Sequence, residues 1–389
     1  MKREYYINVF FLFVITTILV IGFFKPIINP IDIVERENRE ANQLPSISLT
    51  AFNEKTMQDA YELAYADQLP LSNELKSINN TFLFATKIAY LKLSDSNIYK
   101  KIGNYNLFDD YLVYDYEPKE KNILKLNDKI ENINKIYKKF KNKDLYVFYI
   151  ESSSNMNFAT NEHSSHYEYV KKNVKSGIKT SAFEIKSFDD LKRYYYRTDH
   201  HWNQNGSYEG YKKIIKMIFG DSEKIIEPNE LLSFTSIFDG SLARELGGIN
   251  YFNEHFYAYD FSFKEHDVYK NGEKVNNIVD TKLLKNNNPK YITYGAWYGN
   301  DYGLLEYDFK DANKYNLLII GDSYDNAINE LIASHFNKTY VVDLRHYKRS
   351  IEKEFNISNF IKNNEIDKIL LIGSNNFFTS DVFLVKGID

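Results

Sequence analysis

The sequence predicts an α/β fold in which a parallel sheet is flanked by helices and preceded by one N-terminal transmembrane helix. Three observations predict it. The C-terminal third alternates apolar runs with helical patterns: "YNLLIIGDSYDNAINELIASHF" reads as strand, Gly-containing turn and helix, "TYVVDLR" as strand, "SIEKEFNISNFIKN" as helix and "DKILLIGSNNFF" as strand. These strands are apolar almost throughout, the pattern of a sheet covered on both faces. Right-handed crossovers bring the strand ends, at Gly321, Arg345 and Ser374, to one edge, where ligands of open α/β sheets bind. Upstream, Ile123 to Lys141 is a long amphipathic helix and "DLYVFYI" a buried strand. At the start of the chain, "YYINVFFLFVITTILVIGFF" from Tyr5 to Phe24 is uncharged and, as a helix, would cover roughly 30 Å, a bilayer core.

In chain order, the apolar run ends in Phe-Phe-Lys-Pro with no A-x-A-like cleavage site, which favours an uncleaved signal anchor over a signal peptide. The alternative, a buried core helix, has little to pack under at the end of the chain. Lys2 and Arg3 precede the run and the following flank soon turns acidic, so the N-terminus is expected in the cytoplasm and the rest outside the membrane. Pro26 and Pro30 mark the exit, and "IDIVERENREANQLPSISLT" reads as a polar linker. Two helices follow with a break at Leu69-Pro70, and "NLFDDYLVYDYE" reads as a hairpin or edge strand. The expected organisation is a cytoplasmic tip and anchor over residues 1–30, a linker and helical extension over 31–110, and an α/β domain over 111–389.

Composition excludes several classes. The chain has 389 residues, 49 Lys+Arg against 53 Asp+Glu, and no Cys. Scattered basic residues and a slight acidic excess argue against nucleic acid. Without Cys there are no disulfides, thiolate zinc sites or cysteine nucleophiles.

Ser323, in "IIGDSYDN", follows a buried strand and opens a predicted helix, so its hydroxyl is exposed at the sheet edge beside unpaired N–H groups. Asp322 and Ser323 are equally good capping residues. A base is needed to separate the readings, and "YRTDHHWNQNG" supplies one. In an extended segment Asp199 and His201 project to the same side with Cα atoms roughly 6.5 Å apart, and His200 points the opposite way. An Asp on one imidazole nitrogen leaves the other to take a serine proton. Adjacent His residues chelate one ion poorly, so no metal is expected there, and His163 and His166 in H-x-x-H spacing read as solvated surface. Trp202 reads as a packing residue, and Asn203 to Ser207 as a turn capping a helix from about Tyr208 to Phe219, with Tyr208, Tyr211, Ile214, Ile215 and Ile218 on its apolar face.

"TDHHWNQNG" with the later "GDSYDN" resembles the DHHW proteins, relatives of the SGNH-hydrolase-like O-acetyltransferases that act on alginate and similar exopolysaccharides. "ENREANQLP", "YADQLPLSN", "IGNYNLF", "FDGSLAR" and "VVDLRHY" resemble other landmarks of that family in order, so the resemblance covers nearly all of the chain after the apolar run. It implies an SGNH-like sheet, an Asp-His-Ser triad of Asp199, His201 and Ser323, a polysaccharide acceptor and an acetyl donor supplied by a multi-spanning membrane acyltransferase, with no cofactor. Where the family segment D-Q-F-P-x-R carries an Arg, this chain has Leu71-Ser72, so no role of that Arg is carried over. The Ser323 N–H is one oxyanion donor, and Asn375 or Asn376 either supplies a second or holds a turn. Arg345 either contacts the sugar or pairs with Asp343, and Tyr324 lines the pocket. O-acetyltransferase, acetyl esterase and non-catalytic polysaccharide-binding scaffold remain as the readings of function.

Overall fold

The computed structural model describes residues 2–34, 39–46, 52, 56–69, 72–92, 100–279 and 291–388. The chain divides into two compact units, Met1–Leu93 with Arg244–Gly248, and Ser94–Ala243 with Ile249–Asp389.

In the first unit, α1 (Lys2–Ile28) is apolar from Tyr5 onward and long enough over Tyr5–Ile28 to cross a membrane, with almost none of that surface buried by the protein. Helices α2 (Thr56–Gln68) and α3 (Ser72–Lys92) fall on either side of the predicted break. Tyr65 of α2 stacks on Phe23 near the end of α1. The segment expected to be a polar linker is tied down where it is described. Gln68 accepts from the Ile31 N–H at 2.7 Å, and Asp67 accepts from the Asn42 backbone and amide at 3.0 and 2.8 Å. Two of the sequence landmarks, "ENREANQLP" and "YADQLPLSN", thus hold one another. Residues 35–38 and 47–51 of the linker lie outside the described residues, as do Pro70, Leu71 and the Ser72 side chain.

The second unit is built on α4 (Ile123–Lys139), α5 (Gln204–Phe219) and an eight-stranded sheet. Its strands are β1 (Asp144–Ile150), β2 (Lys179–Phe183), β3 (Asp267–Lys270), β4 (Glu273–Val275), β5 (Leu304–Asp308), β6 (Leu317–Ile320), β7 (Lys338–Val342) and β8 (Lys368–Ser374), in spatial order β4-β3-β5-β7-β6-β8-β1-β2. The five strands from β7 to β2 are parallel, as expected, with Ile320 paired to both Val342 and Leu371. β5, β3 and β4 add an antiparallel edge that the sequence reading did not separate.

Alternation along β6 explains why all four of its residues are apolar. Leu317 and Ile319 join the core that holds Tyr211, Ile214 and Ile215 of α5, while Leu318 and Ile320 join the core that holds Leu126, Ile130 and Ile133 of α4. Each face is covered by a helix, so neither register position tolerates a polar side chain. Helix α5 starts earlier than its apolar pattern suggested, because Asn203 caps it by accepting from the Asn205 and Gly206 N–H groups. "NLFDDYLVYDYE" forms the hairpin Tyr105–Phe108 and Tyr111–Val113.

The predicted helix after β7 is two helices, α7 (Leu344–Ile351) and α8 (Ile357–Asn363), divided at Glu352, whose φ of 57° ends the first. Asp343, expected at a strand end, is instead the N-cap of α7, and Arg345 lies in its first turn. The predicted helix after Ser323 is also shorter: a 3-10 turn, Asp325–Ala327, precedes α6 (Asn329–Ala333). Asn329 donates to Asp325 at 2.9 Å and the Tyr302 hydroxyl bridges Asp325 and Asn326, a side-chain network that competes with a regular helix start. Burial pushes the Asp325 carboxyl well above its ordinary range.

Candidate active site

The parallel strands deliver Ser323 from β6, Asp343 from β7, Ser374 from β8 and Ser152 from β1 to one edge. Asp322 fastens the first turn to the third: its Oδ1 accepts from the Tyr324 N–H at 3.1 Å, and its Oδ2 from the Ser374 N–H and hydroxyl at 2.9 and 2.7 Å. The Ser323 hydroxyl therefore sits on a braced turn, half-buried, and its backbone N–H donates to no partner among the described residues.

The imidazole that faces this hydroxyl comes from the loop between Tyr195 and Trp202, which pair as an isolated antiparallel bridge. His201 Nε2 lies 2.8 Å from Ser323 Oγ, and His201 Nδ1 lies 2.7 Å from Asp199 Oδ1. An ionised carboxylate only accepts, so the imidazole proton belongs on Nδ1 and the Nε2 lone pair faces the serine hydroxyl. Asp199 also accepts from the His201 N–H at 2.9 Å and the Ser241 N–H at 2.7 Å. Burial pushes its carboxyl up, but the neighbouring His201 and His200 imidazoles and these hydrogen bonds more than reverse that, leaving it well below the usual carboxylate range.

Asp199 and His201 meet, but not for the reason the sequence suggested. The segment is not extended. Asp199 Oδ1 capturing the His201 N–H makes an Asx turn, which curls the loop. His200 consequently does not point away: its ring centroid is 3.9 Å from that of His201, and its Nδ1 is 2.7 Å from Ser241 Oγ. Ligand atoms of Asp199, His200 and His201 lie within 4.8 Å of one another, yet both His201 nitrogens and both Asp199 oxygens are already engaged. That donor set fits a proton relay better than a cation.

Aromatic packing fixes the imidazole plane. Tyr294 stacks on His201 at 3.9 Å and 4°. Tyr324, buried next to Ser323, donates through its hydroxyl to the His200 carbonyl, while its own carbonyl accepts from the Trp202 indole at 2.9 Å. Trp202, fully buried as expected, lies so close to α5 that a Cβ on Gly210 would meet its ring at 2.5 Å. We expect Gly210→Ala to destabilise the protein by about 1–3 kcal/mol despite alanine's better helix propensity. A thermal melt at or above that of the wild type would show that the indole is not held there.

Beside Ser323 opens a cavity of about 540 Å³. Asn375 and Asn376 stand on its wall at the start of α9 (Asn375–Thr379). Tyr149 donates to Asn375 Oδ1 at 2.6 Å, which turns the amide nitrogen toward the cavity, where it has only long contacts of 3.4 and 3.5 Å to Ser154 and Glu117. Asn376 is exposed and its side chain makes no hydrogen bond among the described residues. Arg345 reaches the cavity while paired to Asp343 through Nε and Nη2 at 3.0 and 2.5 Å.

His163 and His166, expected on a solvated surface, lie under this edge. His163 Nε2 is 2.9 Å from Glu151, and His166, fully buried, lies between Asn155 and Asn122. Sequence reasoning missed Ser152, Ser154, Tyr114 and Glu117 on the cavity wall, and Tyr294 on His201. Ser241 lies in "FDGSLAR", a landmark that carried the signal without its role.

No family model matches the chain, and no curated protein matches it in sequence. Among solved structures, Bacillus cereus PatB1 matches with a TM-score of 0.55 at 20% identity, over 74% of this chain and 99% of that one. The same protein with a sulfonyl adduct also gives 0.55 at 20% identity, over 72% and 98%. A DHHW family protein from Eubacterium siraeum gives 0.54 at 15% identity, over 76% and 95%. The chain shares the α/β fold of these proteins.

Proposed function

We propose that the chain is a membrane-anchored O-acetyltransferase that works outside the cytoplasm through an acyl-serine intermediate and delivers the acetyl group to a polysaccharide hydroxyl. The single observation that carries this reading is the unbroken chain Asp199–His201–Ser323 at 2.7 and 2.8 Å, opening on a cavity at the carboxyl edge of the sheet. Ser323 Oγ attacks the acetyl carbonyl as His201 Nε2 takes its proton. The carbonyl oxygen gathers negative charge opposite the free Ser323 N–H, with the Asn375 or Asn376 amide as the second donor. The imidazolium returns its proton to the departing group, and a sugar hydroxyl then repeats the attack on the acyl-serine with His201 as base.

The motif resemblance supports acetyl as the acyl group and polysaccharide as the acceptor. The apolar run of α1, with Lys2 and Arg3 ahead of it in the first turn, supports an anchor with the catalytic unit on the far side of the membrane, where a multi-spanning acyltransferase would supply the donor. Water as acceptor gives an esterase with the same triad, and the test must separate the two. The full-length chain in detergent micelles is given a chromogenic acetyl ester with and without oligosaccharides of varied composition. Acetyl release together with an acetylated oligosaccharide by mass spectrometry is the expected result. Release without acetylated sugar across the panel favours the esterase, and no release favours a scaffold.

A further inference from the structure

We propose that Lys129 is a positioning residue of this site: its buried ammonium fastens the turn that carries Asn375 and Asn376. The inference rests on the acyl-serine reading above.

Lys129 projects from α4 into the core and is 1% exposed. Lysine is almost never fully buried unless paired, and among the described residues this one forms no ion pair. Its ammonium donates to the Phe383 carbonyl at 2.6 Å and lies 3.7 Å from the centre of the Phe377 ring, a cation–π contact. Methionine or leucine would fill the same space without desolvating a charge, so packing alone does not account for lysine here.

What the ammonium touches is the underside of the site. Phe377 follows Asn375 and Asn376 in α9, and Phe383 lies in the next turn, so one cation grips the chain on both sides of Ser380. Without the ammonium both sides of this turn lose their anchor, and with it the Asn375 and Asn376 amides lose their fixed placement opposite the developing oxyanion. The remaining charged and titratable neighbours are few. Arg345, neutralised by Asp343, stacks over Phe383 at 5.4 Å, and the Tyr149 phenol of β1 holds Asn375 on the same turn. Lys125 and Asp128 of α4 face solvent. Burial, offset in part by Asp322, brings the Lys129 ammonium down to about 7.

The test uses the full-length chain in micelles and compares wild type with Lys129→Met, an apolar side chain of similar length. Acetyl release from the chromogenic ester is followed between about pH 5.5 and 9.5, the span that brackets a lysine lowered by burial. The variant is expected to show kcat reduced about tenfold at the acidic end, with KM within about twofold, and to lack the alkaline fall of the wild type. Wild-type kcat and an unchanged alkaline limb in Lys129→Met overturn the proposal.

Thermal melts provide a readout that does not depend on activity. In the folded protein Lys129 binds its proton less tightly than in the unfolded chain, so its burial penalty is fully present below about 7 and is relieved as pH rises toward the unfolded value of about 10.4. The wild-type Tm should therefore gain on that of Lys129→Met between about pH 7 and 9. A difference that stays constant over that interval overturns the buried cation itself. Absence of acetyl release by the wild type would instead remove the acyl-transfer reading and the positioning role with it, and the melts distinguish that failure from an error about Lys129.

Discussion

Ser323→Ala is expected to lower kcat for acetyl release by about 10⁴- to 10⁶-fold while leaving the fold intact. The size follows from the role. Without the hydroxyl there is no acyl-enzyme, and what remains is whatever the oxyanion donors and binding contribute over water. The stability side is small: the hydroxyl is half-buried and its hydrogen bond is to His201 Nε2, an exchange worth about 1 kcal/mol. Measured together, kcat and Tm separate loss of chemistry from loss of structure. A sulfonyl fluoride adds a second readout, since the activated hydroxyl of the wild type should be sulfonylated and the alanine variant should not. Retained turnover in Ser323→Ala removes the triad assignment. Loss of turnover accompanied by an unfolded melt leaves the sulfonylation of the wild type, mapped to a peptide, to decide whether Ser323 is the nucleophile.

Why that serine could be read from sequence, while its surroundings could not, has a physical explanation. β6 and β8 are apolar throughout because both sheet faces are covered, and that pattern survives in a single sequence. The parallel order then puts Ser323 and Asn375 on one edge by handedness alone. The contact between His201 and Ser323 spans 122 residues, and only the motif pair hinted at it. Local geometry was less legible. The sequence alone pairs Asp199 and His201 through an extended segment, yet an Asx turn achieves the same contact and swings His200 to the same side. Turn chemistry of that kind depends on one side-chain hydrogen bond, which hydrophobic periodicity does not register. The antiparallel edge of β5, β3 and β4 went unseen for a related reason, since short half-exposed strands lack the continuous apolar run that marked the core. Lys129 sits in a helix that reads as amphipathic, and its spacing from Leu126, Ile133 and Ile136 puts it on the apolar stripe, but its charge argues for solvent while it lies 1% exposed.

Asp199→Asn is expected to cost about 10⁴-fold in kcat, and the loss should differ in kind from that of the serine variant. Asp199 accepts on both oxygens: Oδ1 from the His201 ring and backbone N–H groups, Oδ2 from the Ser241 N–H. An asparagine has one oxygen for these three donors. With its oxygen toward His201, the amide nitrogen opposes the Ser241 N–H. With its nitrogen toward His201, the imidazole must change tautomer and present N–H, not a lone pair, to Ser323. Either way one arm of the site is lost, so stability should fall as well, by about 1.5–3 kcal/mol for a hydrogen-bonded charge removed from a buried site. The pH dependence gives the sign of the electrostatic part. The folded carboxyl titrates well below its unfolded value, so its contribution is present above about pH 4 and fades as pH falls toward the folded value. The Tm advantage of the wild type over Asp199→Asn should therefore be full at neutral pH and narrow below about pH 4. If the gap is the same at both ends, the lowered titration of Asp199 is wrong. If kcat stays within about tenfold, the carboxylate is not what sets the His201 tautomer, and the turn around Ser241 becomes its main employment.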